Sequence, residues 1–213
     1  MCSRVANIAK RVGIALGLAA FGVAAVVVVL LASGSGHPRE SLPPASDGVV
    51  PGAAGSPERF TYLAAKRSNQ CGMPAAAVLR MPSAARLQGA CCGPMNSAEY
   101  RAQAIGLRAF RRMPEIPPDP YDMSVGLSKR LLRWERSIKL SRADAATYRR
   151  AMKMTHDHAP CCCPCWRWHA FRGLANDLIA RRRWSAARVA HVIDLVEGCG
   201  NTRGGTMMRR PRA

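Results

Sequence analysis

The stretch Cys161-Cys162-Cys163-Pro164-Cys165-Trp166-Arg167-Trp168-His169 places four of the chain's nine cysteines within five residues. A disulfide framework gains most from cysteines spread along the chain, because each bridge then closes a loop. Crowding concentrates thiol chemistry at one point, which suits a soft metal ion or a redox couple. A helical stripe of Phe171, Leu174, Ala175 and Leu178 follows the cluster. The thiols therefore sit at a helix end rather than inside a helix.

Working outward, the same logic recurs. Ser56-Pro57-Glu58 has start chemistry for a helix: a capping serine, a proline tolerated in the first turn, and a carboxylate at the positive end of the dipole. Phe60, Leu63 and Ala64 form its stripe, and Gly72 and Pro74 end it just after Cys71. Ser83 is expected to cap a short helix ending at Gly89, directly before Cys91-Cys92-Gly93-Pro94. Ser97 caps the next, with Tyr100, Ala104 and Leu107 on one face. Three prolines between Ile116 and Asp122 exclude helix there and predict a stiff connector that packs Ile116 and Tyr121. Asp122 or Ser124 opens the clearest helix, with Leu127, Leu131, Trp134 and Ile138 at helical spacing, Trp134 as core. Ser141-Arg142-Ala143-Asp144 resembles a capping box, and its helix carries Tyr148 and Met152 and fades near His156. Ser185 caps a last helix bearing Val189, Ile193 and Val196, closed by Gly198 before Cys199. No stretch alternates with period two and no internal repeat occurs. Residues 57–200 read as an all-α, small Cys-rich helical bundle.

Upstream of that domain, Val12 to Ala32 is an uncharged run of about 21 residues. At ~1.5 Å per residue it matches a hydrocarbon core of ~30 Å. Arg4, Lys10 and Arg11 precede it, so the positive-inside rule puts residues 1–11 in the cytoplasm and the domain outside. The expectation is an N-terminal transmembrane helix, residues 12–32, acting as an uncleaved signal anchor in the lipid bilayer. A cleaved signal peptide ending near Ala32-Ser33-Gly34 is the competing reading. Residues 33–56 are rich in Gly, Ser, Pro and Ala and read as a flexible linker, and residues 201–213 as a disordered basic tail.

Net charge is +19, and only five of the 32 basic residues are lysine. The arginines are spread along the chain with no nucleic-acid motif, so solvated helix faces are expected rather than a nucleic-acid partner. Anionic lipid headgroups or acidic wall polymers remain candidate partners for that charge. Hydrolysis finds no signature: there is no Gly-x-Ser-x-Gly, phosphate-binding glycine loop or paired carboxylates on a helix face.

Three readings of the thiols stay open. As a metal site, Cys91, Cys92, Cys161, Cys162, Cys163 and Cys165 supply thiolates to copper or zinc, with His156 or His158 assisting and His169 as a further alternative. As a redox site, Cys162-Cys163-Pro164-Cys165 puts a C-x-P-C pair, Cys162 and Cys165, at a helix start, but without the strands of a thioredoxin fold. As structure, the even set completed by Cys71 and Cys199 permits four disulfides, with Cys71 and Cys199 as structural candidates. His191 reads as structural and His37 as idle.

The runs Pro160-Cys161-Cys162-Cys163-Pro164-Cys165, Cys91-Cys92-Gly93-Pro94-Met95 and Ile116 to Asp122, with the helix from Arg183 to Ile193, resemble uncharacterised bacterial membrane-anchored proteins. These carry a Pro-Cys-Tyr-Cys-Gly-Cys or Cys-Cys-Cys-x-Cys-Trp motif. Against the first form this chain has Cys162 for Tyr and Pro164 for Gly. The resemblance spans about residues 90–200 and implies location and architecture, with no activity attached.

Overall fold

Residues 50–200, the part described by the computed structural model, build seven α-helices and one pair of short strands. In order these are α1 (Pro57–Ala64), α2 (Ala75–Arg80), β1 (Arg86–Gln88), α3 (Ser97–Leu107), β2 (Asp122–Ser124), α4 (Val125–Ser137), α5 (Arg142–Met154), α6 (Trp166–Ala180) and α7 (Ala186–Val196). A single 3₁₀ turn, Arg108–Phe110, extends α3.

The helix starts follow from capping chemistry. Ser56, Ser124, Ser141 and Ser185 each accept a hydrogen bond from the amide three residues on, at Arg59, Leu127, Asp144 and Arg188. This satisfies donors that the first turn leaves orphaned. Helix α3 is capped by Asn96, one residue before the expected Ser97.

Helix α6 is the centre of the domain. Ala170, Phe171, Leu174, Ala175 and Leu178 are fully buried. Each of the larger side chains contributes about 1.5–3 kcal/mol by leaving water. Helix α4 packs directly on α6, and α5 and α7 complete the bundle around the same core. The approach of α4 is close because Gly173 has no side chain: a Cβ there would collide with the Leu131 carbonyl.

The all-α expectation needs correction. β1 and β2 pair antiparallel, with Leu87 opposite Met123 and Gln88 opposite Asp122. Leu87 and Met123 face the core and are buried. Each strand has three residues, too few to display period-two alternation in sequence. The expected helix from Ser83 to Gly89 is replaced by this strand, and the short helix lies earlier, over the alanine run of α2.

The transmembrane expectation is also corrected. Among the described residues no helix is long and apolar enough to cross a membrane. The longest, α6, has 15 residues, or ~22 Å at ~1.5 Å each, against the ~30 Å required. The run at 12–32 lies outside the described residues, as do the tail at 201–213 and most of the expected linker. The derived location, a cytoplasmic N-terminus with an extracytoplasmic domain, is corrected likewise: no helix among the described residues is long and apolar enough to support it. The end of the expected linker is folded: Ser56 N donates to Ala53 O at 3.0 Å and Arg59 Nη1 to Gly52 O at 3.2 Å.

The proline-rich connector packs Ile116 and Tyr121 as expected, and it also brings in two buried carboxylates. Asp119 accepts from Arg59 Nε at 2.9 Å, from the Tyr100 hydroxyl at 2.8 Å and from its neighbour Tyr121 N at 2.9 Å. Asp122 pairs with Arg59 at 2.9 Å and Arg86 at 2.6 Å. This network clamps α1 and both strands beside the loop that carries Cys91 and Cys92.

Candidate metal centre

All eight cysteines of the described domain converge at one end of the bundle, from four separate loops. Cys71 lies between α1 and α2, Cys91 and Cys92 follow β1, Cys161 to Cys165 join α5 to α6, and Cys199 follows α7. Backbone hydrogen bonds stitch these loops together. Cys71 N donates to Cys91 O at 2.9 Å, and Cys91 N to Gly198 O at 3.1 Å. Cys92 N and Gly93 N both donate to Cys199 O, at 3.0 and 2.8 Å. Trp166 N at the start of α6 donates to Met73 O at 2.9 Å. Asn69, which sequence reasoning missed, is buried and holds two of these loops by its side chain. It donates to Gly89 O at 3.0 Å and accepts from the Trp166 indole at 3.1 Å.

The sulfurs divide into two groups, within each of which all ligand atoms lie within 4.8 Å of one another. One is Cys91, Cys161, Cys162 and Cys199; the other is Cys71, Cys92 and Cys163. In the first, Cys199 Sγ stands 2.9 Å from Cys162, 3.2 Å from Cys161 and 3.7 Å from Cys91. In the second, Cys163 Sγ stands 3.5 Å from Cys71 and 3.8 Å from Cys92. The groups meet where Cys92 lies 3.3 Å from Cys162 and 3.3 Å from Cys91. A disulfide bond is about 2.0 Å long, so these are separate sulfurs. A tetrahedral zinc thiolate with Zn–S of about 2.3 Å has S···S edges of about 3.8 Å. The cysteine groups could hold a metal ion.

The thiols polarise one another. Hydrogen bonds from Cys161, then Cys162, Cys91 and Cys92, hold the Cys199 thiol well below its usual pKa. Those from Cys161, then Cys162, Cys165 and Cys91, do the same for Cys163. Cys165 is lowered to about 7, chiefly through Cys161. Cys91 is raised, first by its side-chain interaction with Cys161 and then by those with Cys162, Cys163 and Cys165. Cys92, Cys161 and Cys162 are raised as well, so within the first group only Cys199 is lowered, and a soft cation bound there would displace the protons of the other three.

Of the residues singled out from sequence, Cys91, Cys161 and Cys162 share the first group, and Cys92 and Cys163 the second. Cys165 belongs to neither; it is buried at the N-cap of α6. Cys71 and Cys199 are placed apart, one in each group. Cys162 lies beside Cys199 and Cys92. The helix start belongs to Cys165, three residues later. His156 and His158 are exposed and outside both groups; the His158 ring meets Lys153 O at 3.0 Å. His169 pairs with Glu135 at 2.7 Å, bridging α6 and α4, and belongs to neither group.

Two carboxylates were missed. Asp157 and Glu197 form a third potential ligand group with Cys199. Position gave the only clues: Asp157 sits between the two histidines, and Glu197 two residues before Cys199. Arg167 was missed as well. It is fully buried behind the cluster, donates to Pro120 O, and stacks over Trp166 and Phe171 at 5.5 and 5.4 Å.

No protein family, curated protein or solved structure matches this chain.

Proposed function

We propose that the protein is a soft-metal binding protein that holds Cu(I) or Zn(II) on cysteine thiolates. One observation carries this reading: Cys91, Cys161, Cys162 and Cys199 bring four sulfurs from three loops within 4.8 Å of one another. Hard cations prefer oxygen ligands, whereas an all-thiolate set selects Cu(I), Zn(II) or an iron–sulfur cluster. Iron–sulfur clusters need cysteine sulfurs spaced around a multi-iron core, wider than contacts of 2.9–3.7 Å. A single d¹⁰ ion, with S···S edges of about 3.8 Å, is nearer to those contacts and requires the closest sulfurs to spread as it binds. Burial of Cys91, Cys161 and Cys199 at 8, 2 and 1% exposure shields the ion from water and oxidants.

The test is titration of the reduced protein with Co(II) and with Cu(I) under anaerobic conditions. The expected result is a thiolate-to-metal charge-transfer band that saturates and is abolished in Cys161→Ser/Cys199→Ser. A flat absorbance on titration would remove the reading.

A thiol–disulfide reading has one observation in its favour, the 2.9 Å approach of Cys162 to Cys199. The pair would then be Cys162 and Cys199, with Cys165 as a bystander. Peptide mapping after mild oxidation distinguishes the two. A redox pair gives one dominant Cys162–Cys199 bridge that a chelator does not affect, whereas a metal site gives thiols protected from alkylation until chelator is added.

A further inference from the structure

The crowding of cysteines has a regular geometric consequence. Two adjacent pairs, Cys91-Cys92 and Cys162-Cys163, are each split between the two sulfur groups: Cys91 and Cys162 go to the quartet, Cys92 and Cys163 to the trio. The backbone bends at both pairs, and each bend hands its two neighbouring sulfurs to different groups, so a Cys-Cys dipeptide can serve two sites at once. Neither group borrows a residue from the other, yet they touch through Cys92 and Cys162 at 3.3 Å. They also differ in access. Three of the quartet are buried, whereas the trio opens outward through Cys71, which is exposed.

Resting on the thiolate-site reading above, we propose that the cluster is a two-compartment centre. The quartet Cys91, Cys161, Cys162 and Cys199 retains one soft ion. The trio Cys71, Cys92 and Cys163 carries a second ion that exchanges with a soluble thiol ligand. Three thiolates leave a tetrahedral ion one open position, and a structural site is closed where an exchanging one keeps a vacancy. An incoming thiolate attaches at that position before a protein sulfur leaves, so the ion moves without the fold opening. Each incoming thiol loses its proton to solvent on binding the ion, and each departing cysteine regains one, so no oxidant or reductant is needed. The quartet has no such vacancy and its ion is shielded. Contact of Cys92 with Cys162 gives a route by which an ion entering at the trio reaches the quartet.

The test uses Cd(II) as a probe on the full, reduced chain, read by native mass and by release to EDTA with and without an excess of a small thiol. Two Cd(II) per chain are expected. One leaves quickly, faster still with added thiol; the other leaves at least tenfold more slowly. Cys71→Ser, at an exposed position, is expected to keep one slow ion and lose the fast phase. Cys199→Ser is expected to lose the slow ion. Circular dichroism checks that both variants fold. One Cd(II) per wild-type chain would leave the metal reading standing and overturn the two compartments. So would a Cys71→Ser protein that still binds two ions or binds none. No Cd(II) on the wild-type chain would overturn both readings.

Discussion

Gly198 shows how much of the site depends on one missing side chain. A Cβ there would strike the Arg167 guanidinium and the Pro120 carbonyl. Neither can yield easily, because Arg167 is fully buried and donates to that same carbonyl. The Gly198 carbonyl holds Cys91 N, and the next residue holds Cys92 N and Gly93 N. Gly198→Ala is therefore expected to lower unfolding free energy by about 1–3 kcal/mol, the usual range for overpacking. It should also weaken ion binding, because it shifts Cys199 against Cys91. Urea denaturation with the ion removed reads the first effect and metal competition the second; unchanged ion affinity would mean that the 198–199 segment does not set the site. A second residue-scale expectation concerns Asp119, 1% exposed and receiving Arg59, Tyr100 and the Tyr121 amide. Asp119→Ala leaves the Tyr100 hydroxyl and the Tyr121 amide without this acceptor while Arg59 keeps Asp122, and a buried donor left unsatisfied costs about 1–3 kcal/mol. A urea midpoint close to wild type would show the network to be dispensable.

Two helix glycines separate packing from propensity. Alanine is favoured over glycine in a helix interior by about 1 kcal/mol. At Gly173 the Cβ would meet backbone of α4, the Leu131 carbonyl and the Glu135 amide, and neither can move unless the helices part. At Gly106 it would meet only the tip of the Leu195 side chain, which can change rotamer. Gly173→Ala is thus expected to destabilise by more than about 2 kcal/mol, while Gly106→Ala falls within about 1 kcal/mol of wild type. Equal thermal midpoints for the two variants would contradict the close α4–α6 approach. The same elements show what a linear reading reaches. Four serine caps could be identified because capping is local: the donor and acceptor lie three residues apart. Helix α2 was missed because Pro74 was read as an end, while its ψ of 150° instead makes it the entry to an alanine-rich helix. The strands were missed because their stabilisation comes from Leu87 and Met123 facing one core across 36 residues of sequence. For the site, crowding of thiols marked the right loop. Which sulfurs share a group depends on four loops meeting, and no spacing rule encodes that. The histidines looked like ligands because they lie near the cluster in sequence; the backbone turns them out to solvent, with His158 at φ 53°.

At the scale of the molecule, the cysteine end and the helical core are separate clusters of buried side chains. The core gathers Leu131, Trp166, Phe171, Leu174, Leu178 and Val192, among others, and contains no cysteine. The cysteines pack on one another and on Trp168. This division decides what metal removal does. A zinc finger has almost no apolar core, so its fold is lost with its ion. Here several large side chains are fully buried without help from any ligand, and each stabilises by about 1.5–3 kcal/mol. The fold should survive the loss of the ion, and the loops should not keep their order. Four loops are joined at the cluster by a handful of backbone hydrogen bonds, among them those of Cys91, Cys92 and Gly93 to residues 198 and 199. Without a cation the cysteines regain protons, and thiols are weak hydrogen-bonding groups that hold these loops far less firmly than metal–sulfur bonds. Chelation is therefore expected to leave the helical circular dichroism within about a tenth of its starting value while amide exchange rises in residues 71–73, 91–93, 161–165 and 198–200. Exchange in α4 and α6 should stay slow. A cooperative loss of helicity on chelation would mean instead that the cysteine end holds the bundle together, and that the domain folds only around its ion.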